Sequence, residues 1–422
     1  MKFSLVFKRI KFFFEKSLHG NFNNFLTTGF RQIIGFLLGL FTSITVAKNL
    51  GAEGNGFYVT FTSAVALSFL ISSFGFANYQ AYAVARKNRS DRLIVTGLVY
   101  SVFIFFPIST LSGFVFWKVG FFEFDALCLF VIASTASIIF QSALGYVQGK
   151  GNIKYYNILT LISPVTLIIF AIYIIFNPIK EVIFFGFVVS EVVVAFIATF
   201  WCVRSLKKPL FRFTTKRAIS FFKESIGYGF KSQIIIIITY LMYRGVIFML
   251  ASNFSPSSVG VLGFALSLIE KSWIFSQVAS VVLFKDMADK KFSIEKLNKS
   301  IYLMFILSLI GIFFLVIVYY FIGTHMGAEY SDVVKYLIIL SPGVAAFSGA
   351  KICVNYLLLR GIGYTDVFLF IVLLLISYLI SFILILNYQI EGAAAAISIG
   401  YILYYFAVFN LIKFKNRNII YN

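Results

Sequence analysis

The sequence predicts an all-α polytopic membrane protein of about twelve transmembrane helices, arranged as two six-helix parallel repeats. Three observations carry that expectation. Hydrophobic residues make up 60% and charged residues 12% of the 422, more apolar surface than a soluble globule of this size can bury. Runs of about 20 mostly apolar residues, the length that crosses a bilayer core, recur along the chain. Glycine-centred motifs of the first half return in the same order in the second.

Taken in order, the spans lie near 25–47, 56–79, 93–116, 126–147, 155–177 and 182–203, then 224–250, 258–283, 300–323, 333–357, 364–387 and 392–412. They divide the chain into a basic N-terminal segment (1–24), an N-terminal lobe (25–203), a basic linker (204–223), a C-terminal lobe (224–412) and a tail (413–422). A net charge of +20 would suggest nucleic acid as the partner of a soluble protein, but in a membrane protein Lys and Arg sort first by side, so no nucleic acid is expected. With the N-terminus in the cytoplasm, inner connections hold 27 of the 36 basic residues and outer ones hold Lys48, Lys118 and Lys180. Both termini are therefore expected in the cytoplasm. The N-terminal segment carries Lys2, Lys8, Arg9, Lys11 and Lys16 among phenylalanines. With no small-residue cleavage site before span 1, it is not read as a removed signal peptide. It either lies on the inner membrane face or serves as a positive-inside anchor without defined structure.

The repeat rests on three echoes. Gly29-Phe30-Arg31-Gln32-Ile33-Ile34 opens span 1, and Gly229-Phe230-Lys231-Ser232-Gln233-Ile234-Ile235 opens span 7. Glu53-Gly54-Asn55-Gly56 opens span 2 and Ser257-Ser258-Val259-Gly260 opens span 8. Gln148-Gly149-Lys150-Gly151 ends span 4 as Arg360-Gly361-Ile362-Gly363 ends span 10. Because six is even, both halves cross in the same sense, related by an axis along the membrane normal, with substrate expected between them.

Ala47-Lys48-Asn49-Leu50-Gly51-Ala52-Glu53-Gly54-Asn55-Gly56-Phe57-Tyr58 resembles the first outer loop of polysaccharide-export flippases of the multidrug/oligosaccharidyl-lipid/polysaccharide (MOP) superfamily, which reads Ala-x-x-Leu-Gly-x-Glu-x-x-Gly-x-Tyr. Further family-like pieces are Tyr243-Arg244, Ile269-Glu270-Lys271-Ser272-Trp273, Gly327-Ala328-Glu329-Tyr330, Leu340-Ser341-Pro342-Gly343 and Gly392-Ala393-Ala394-Ala395. The likeness is greatest to the Wzx-type O-antigen flippases. It implies a MATE-like fold and export of an undecaprenyl-pyrophosphate-linked O-antigen or related oligosaccharide to the outer leaflet of a bacterial cytoplasmic (inner) membrane, by alternating access. A polysaccharide polymerase and a chain-length regulator are candidate partners, and no cofactor is implied. Two positions depart from the pattern: Gly245 stands where relatives often carry an acid, and Lys285 where a proline often ends span 8.

A lipid-linked sugar keeps its apolar tail in the bilayer, while its anionic head needs a wet, cationic path. At an effective dielectric near 20, a unit charge pair at 4 Å gains about 4 kcal/mol. Arg31 and Lys231, related by the repeat, are candidates for receiving the head; the alternative is that both snorkel to the inner surface. Arg244 lies deeper in span 7, facing either the lumen or the outer interface. On a straight helix it shares a face with Gln233 and Tyr240, and Lys231 points away from that face. Gly260, Gly263, Ser267, Glu270 and Gln277 form a small-and-polar stripe along span 8, which puts Glu270 inside, as an ion-pair partner of Lys231 or Arg244 or as a coupling-proton site. Lys271 is expected to point elsewhere. Trp273 serves either packing or sugar stacking, and Lys351 in span 10 is a further lumen candidate. Pro107, Pro164 and Pro342 mark bends or static kinks in spans 3, 5 and 10.

No phosphate-cradling Gly-x-x-x-x-Gly-Lys-Ser/Thr loop is present, His19 and His325 are the only imidazoles, and no His/Cys/Asp set has metal or hydrolase spacing. The expectation is a non-enzyme. A polysaccharide polymerase would be expected to show a large outer loop, and every outer connection is short. A MATE-like drug or cation antiporter would favour buried acids over the cations found here.

Overall fold

The computed structural model describes residues 22–85, 91–206, 215–288, 293–360 and 363–420. Most of the basic N-terminal segment and residues 207–214 of the linker lie outside the described residues, as does the side chain of Lys285. Among the described residues the chain is helical, with no strand. The helices are α1 (Phe22–Ser73), α2 (Phe76–Ala85), α3 (Asp91–Lys118), α4 (Leu127–Gly149), α5 (Ile153–Phe176), α6 (Lys180–Arg204), α7 (Thr215–Asn253), α8 (Pro256–Ile269), α9 (Ile274–Ala288), α10 (Ile294–Gly323), α11 (Val333–Arg360) and α12 (Tyr364–Ile420). A 3₁₀ turn, Glu270–Trp273, separates α8 from α9, and another, Ala328–Tyr330, precedes α11.

Among the described residues, ten helical segments are long and apolar enough to cross a membrane. Two of them hold two crossings each. At 1.5 Å per residue a straight 52-residue helix would run roughly 78 Å, more than twice a bilayer core of about 30 Å. α1 instead breaks at Gly51, whose φ of 67° suits glycine. The part after the break returns to the level where the first part began. Thr28 meets Asn157 just after the α4–α5 connection, and Ala77, just past the end of α1, touches Gly145 just before that connection. α12 breaks at Gln389, with φ of 50°, and doubles back so closely that a Cβ on Gly392 would lie 1.9 Å from the Leu384 carbonyl oxygen. The twelve predicted spans are thus present. Span 8 is divided by its 3₁₀ turn, and α7 starts at Thr215, within the segment expected as linker. Pro107, Pro164 and Pro342 lie inside α3, α5 and α11, and each helix continues past its proline.

Buried apolar residues collect on either side of a central plane. The largest cluster draws on residues from Ile235 to Ile412 with only Ala47 and Ala52 from the first half. Two others draw on residues from Phe61 to Cys202, joined by Phe222. The groups meet where α1 packs on α7, α8 and α9. There the repeat-related Gly56 and Gly260 abut: a Cβ on Gly56 would fall 1.8 Å from the Pro256 oxygen, and one on Gly260 1.8 Å from the Ala52 oxygen. Only bare glycine backbones permit helices to approach this closely.

Candidate functional site

Between the two groups lies a cavity of about 490 Å³, walled by both parts of α1 and by α7, α8, α9 and α11. A second, of about 390 Å³, shares Gln32, Gln277 and Lys351 with it and extends to Arg31 and Tyr156. Tyr156 stands at the start of α5, beside the basic Lys150–Lys154 connection, so the joined cavities run from the basic end of the bundle into its middle.

The walls follow from helix phase. Gln233, Tyr240 and Arg244 share one side of α7 and all engage neighbours across the central plane or the cavity. Gln233 donates to the Leu70 carbonyl (2.6 Å) and Tyr240 to the Ser63 carbonyl (2.7 Å). Arg244 Nη2 lies 2.7 Å from Glu270 Oε2, the pair keeping 18% and 14% side-chain exposure. Of the two readings of Glu270, the geometry displays the ion pair; its Oε1 has no hydrogen-bond partner. Gly245 also gains a physical reason: a Cβ there would lie 1.9 Å from the Tyr378 hydroxyl, so any side chain after Arg244 requires Tyr378 to move, and the acid that pairs with Arg244 is Glu270.

Arg31 stands in the wall of the smaller cavity, half-buried. It donates through Nη1 to Thr160 (3.1 Å) and lies 5.9 Å from the Tyr156 ring centroid, while its Nε has no partner. Lys231 is not brought to it. Its Nζ sits 3.8 Å from the Tyr364 ring centroid, and it lines neither cavity. Lys351 lines both cavities, with Nζ 3.8 Å above the Trp273 ring. Trp273 is 3% exposed, donates its indole N–H to the Val344 carbonyl at 3.0 Å, and packs on Phe347 and Tyr401. This is packing plus cation binding, with its ring face occupied by the lysine.

Lys271 departs from expectation. Residues 270–273 wind as 3₁₀ rather than α, and Lys271 stands in that turn beside Glu270. Lys271 lines the larger cavity, its long side chain reaching α1, where a Cβ on Gly39 would lie 2.8 Å from its Nζ. Three cations, Arg244, Lys271 and Lys351, thus surround that cavity with one carboxylate, Glu270.

Sequence reasoning passed over Glu191, in the middle of α6, whose oxygens accept from Ser137 (2.8 Å) and Ser163 (3.2 Å). The available signal was an acid alone among valines at the centre of a span, where an unpaired charge costs roughly 2.5–3.5 kcal/mol. The end of the bundle away from the basic loops is closed. Gly56 and Gly260 abut, Asn55 donates to the Gly260 carbonyl (2.8 Å), and the Ala52 amide donates to Glu329 Oε2 (2.7 Å).

This architecture is shared with solved transporters. The lipid II flippase MurJ in an inward closed conformation is 18% identical, with a TM-score of 0.69 over 92% of this chain and 87% of that one. An inward-facing multidrug resistance MATE family transporter of the MOP superfamily is 14% identical, with a TM-score of 0.65 over 90% and 94%. The MATE multidrug transporter DinF-BH is 13% identical, with a TM-score of 0.66 over 96% and 97%. No protein-family model and no curated protein sequence matches the chain. The chain is a multi-pass membrane protein with the fold of these MATE and MurJ structures.

Proposed function

We propose that the protein is a flippase of a bacterial cytoplasmic membrane, moving undecaprenyl-pyrophosphate-linked O-antigen or related oligosaccharide from the cytoplasmic to the outer leaflet. Its basic end and both termini then face the cytoplasm, where Lys and Arg concentrate in short loops. The single observation that carries the reading is the charge of the larger cavity, three cations against one carboxylate, of which Arg244 alone is neutralised. That excess suits a pyrophosphate head and repels a cationic drug. Arg31, at the mouth, supports the same reading through an unpartnered Nε. Lys351 and Lys271 would meet the head deeper in, and Glu270 would hold Arg244 in place. Lys231, two residues from the Gly229–Gly75 contact, lies over Tyr364 and lines neither cavity, so this reading gives it no contact with the head. The MATE neighbours favour a drug antiporter as second reading, and the cation excess weighs against it. A polymerase and a chain-length regulator remain proposed partners on the family resemblance alone.

Replacing Arg31, Arg244 and Lys351 together by alanine is expected to abolish surface polysaccharide while the protein stays in the membrane. Wild-type polymer in that variant overturns the reading. Drug resistance conferred by the wild type, with no effect on surface glycan when the chain is deleted, would install the antiporter instead.

A further inference from the structure

Two carboxylates lie well inside the membrane-length helices of the cavity region and the first half. Glu270 is neutralised by Arg244. Glu191 is not paired with any cation among the described residues. It stands at the centre of the 25-residue α6, roughly 17 Å from either end, where lipid and protein supply no solvent to a charge. The helices packed on α6 are α1, α3, α4 and α5. From α4 comes Ser137, from α5 comes Ser163, and the Ser190 hydroxyl on α6 itself lies 3.4 Å from Ser163. From α1 comes Tyr58, packed edge-on against Phe187, one turn before Glu191. α3 directs no charged or titratable side chain at it among the described residues.

We propose that Glu191 is a proton-binding site of this protein, loaded and emptied from the central cavity past the Tyr58 hydroxyl. An intramembrane acid without a counter-ion marks a functional site by default, proton relays among them, and taking up a proton is what removes the cost of the buried charge here. Each carboxylate oxygen receives one serine O–H, so the groups that hold it are neutral hydroxyls, which can accept from the protonated acid as readily as they donate to the anion. Tyr58 lines the larger cavity and packs on Phe187, one turn before Glu191 on the same helix, which puts its hydroxyl-bearing ring between the cavity and that stretch of α6. One proton taken from the cavity converts the carboxylate to the neutral acid, and its return restores the anion. Occupancy thereby changes the charge of the first half while the cationic wall on the second half stays fixed.

The test is infrared difference spectroscopy of the full-length protein in lipid vesicles, between mildly acidic and mildly alkaline buffer. It requires no transported lipid, so its outcome is separate from that of the flippase reading. A protonated-carboxyl band is expected in wild type and in Glu270→Gln, lost in Glu191→Gln and retained at shifted frequency in Glu191→Asp. The glutamine variant keeps one oxygen to accept a serine O–H and offers its amide N–H to the other serine's oxygen, and the aspartate variant shows that the position tolerates change. Tyr58→Phe is expected to keep the band but slow its deuterium shift several-fold. A band unchanged in Glu191→Gln overturns the site, as does one in wild type that sodium removes at constant pH. Unaltered deuterium exchange in Tyr58→Phe overturns the path.

Discussion

Two seams join the halves at the basic end, and the repeat makes them counterparts, yet one is shut and the other open. At the shut seam, α7 meets the end of α1: Gly229 and Gly75 touch backbone to backbone and Gln233 donates to Leu70. The shift that carries Gly56 onto Gly260 carries Gly75 onto Ala279, so the counterpart seam lies between the start of α1 and α9. There a Cβ on Gly29 would meet nothing within 4 Å, and Arg31 and Gln32 face Gln277 and Ser280 across the smaller cavity. A parallel repeat specifies two equivalent gates, and opening only one gives a side mouth, which on the flippase reading proposed above admits an anionic head while its tail stays in lipid.

The largest expected effect separates the two glycines that the sequence echo treats as equals. Gly229→Ala forces a Cβ to within 2.8 Å of the Gly75 oxygen, and overpacking of this kind costs about 3 kcal/mol. Gly29→Ala adds a methyl to open space and is expected to gain up to about 1 kcal/mol of helix propensity. Thermal unfolding in detergent measures both. Equal destabilisation would mean that the open seam closes on the same contact and that the asymmetry is not a property of the resting state.

The next effect concerns the ion pair that ties the seams together, since α7 brings Arg244 from the shut side and Glu270 stands where α8 gives way to α9 at the open one. Breaking a buried pair costs about 3–5 kcal/mol, and the remaining exposure of both side chains lowers the expectation for Glu270→Gln to about 2 kcal/mol. Adding Arg244→Gln is expected to recover part of the loss, because the uncompensated charge disappears. A double-mutant cycle with no coupling would reduce the pair to a surface contact.

Much of this was legible in the sequence. Twelve spans followed from apolar length, and the Gly56/Gly260 echo marked residues that prove to touch each other across the central plane. The phase of α7 was readable too, with Gln233, Tyr240 and Arg244 on one side and Lys231 off it. Three things were hidden. Lys271 lines the cavity because its long side chain reaches α1 at Gly39, a contact with a helix more than two hundred residues away in sequence. Glu191 has its partners on two other helices, Ser137 and Ser163, far away in sequence. The open and shut seams differ in packing between distant helices, which a repeat pattern cannot rank.

Arg31 and Lys231 give a functional version of the same contrast. Arg31 borders the smaller cavity with an unpartnered Nε, whereas Lys231 is spent on Tyr364. Arg31→Ala is expected to lower export about tenfold, equivalent to roughly 1.4 kcal/mol, and Lys231→Ala to leave it within about twofold on the same scale. The readout is surface polysaccharide at matched protein level. An equal loss from both would restore the symmetric pair suggested by the echo.

The smallest effect lies at the far end, where the halves are held shut without any gate open. After the break at Gly51, Ala52 begins a new helix, and its amide is one of the donors a helix start leaves without an intrahelical acceptor. Glu329, from the turn before α11, supplies the acceptor at 2.7 Å, and a carboxylate there is favoured by the helix dipole by about 0.3–1 kcal/mol. Glu329→Gln keeps an acceptor and removes the charge, so the far end is expected to open about fivefold more often, the equivalent of roughly 1 kcal/mol. In a chain with its three native cysteines replaced by serine, a single cysteine at Ser267 in the larger cavity reports that opening through an impermeant maleimide added outside whole cells. Labelling that stays at the wild-type rate would assign closure to the Gly56 and Gly260 contact alone and leave Glu329 as a cap that holds one helix start and no gate.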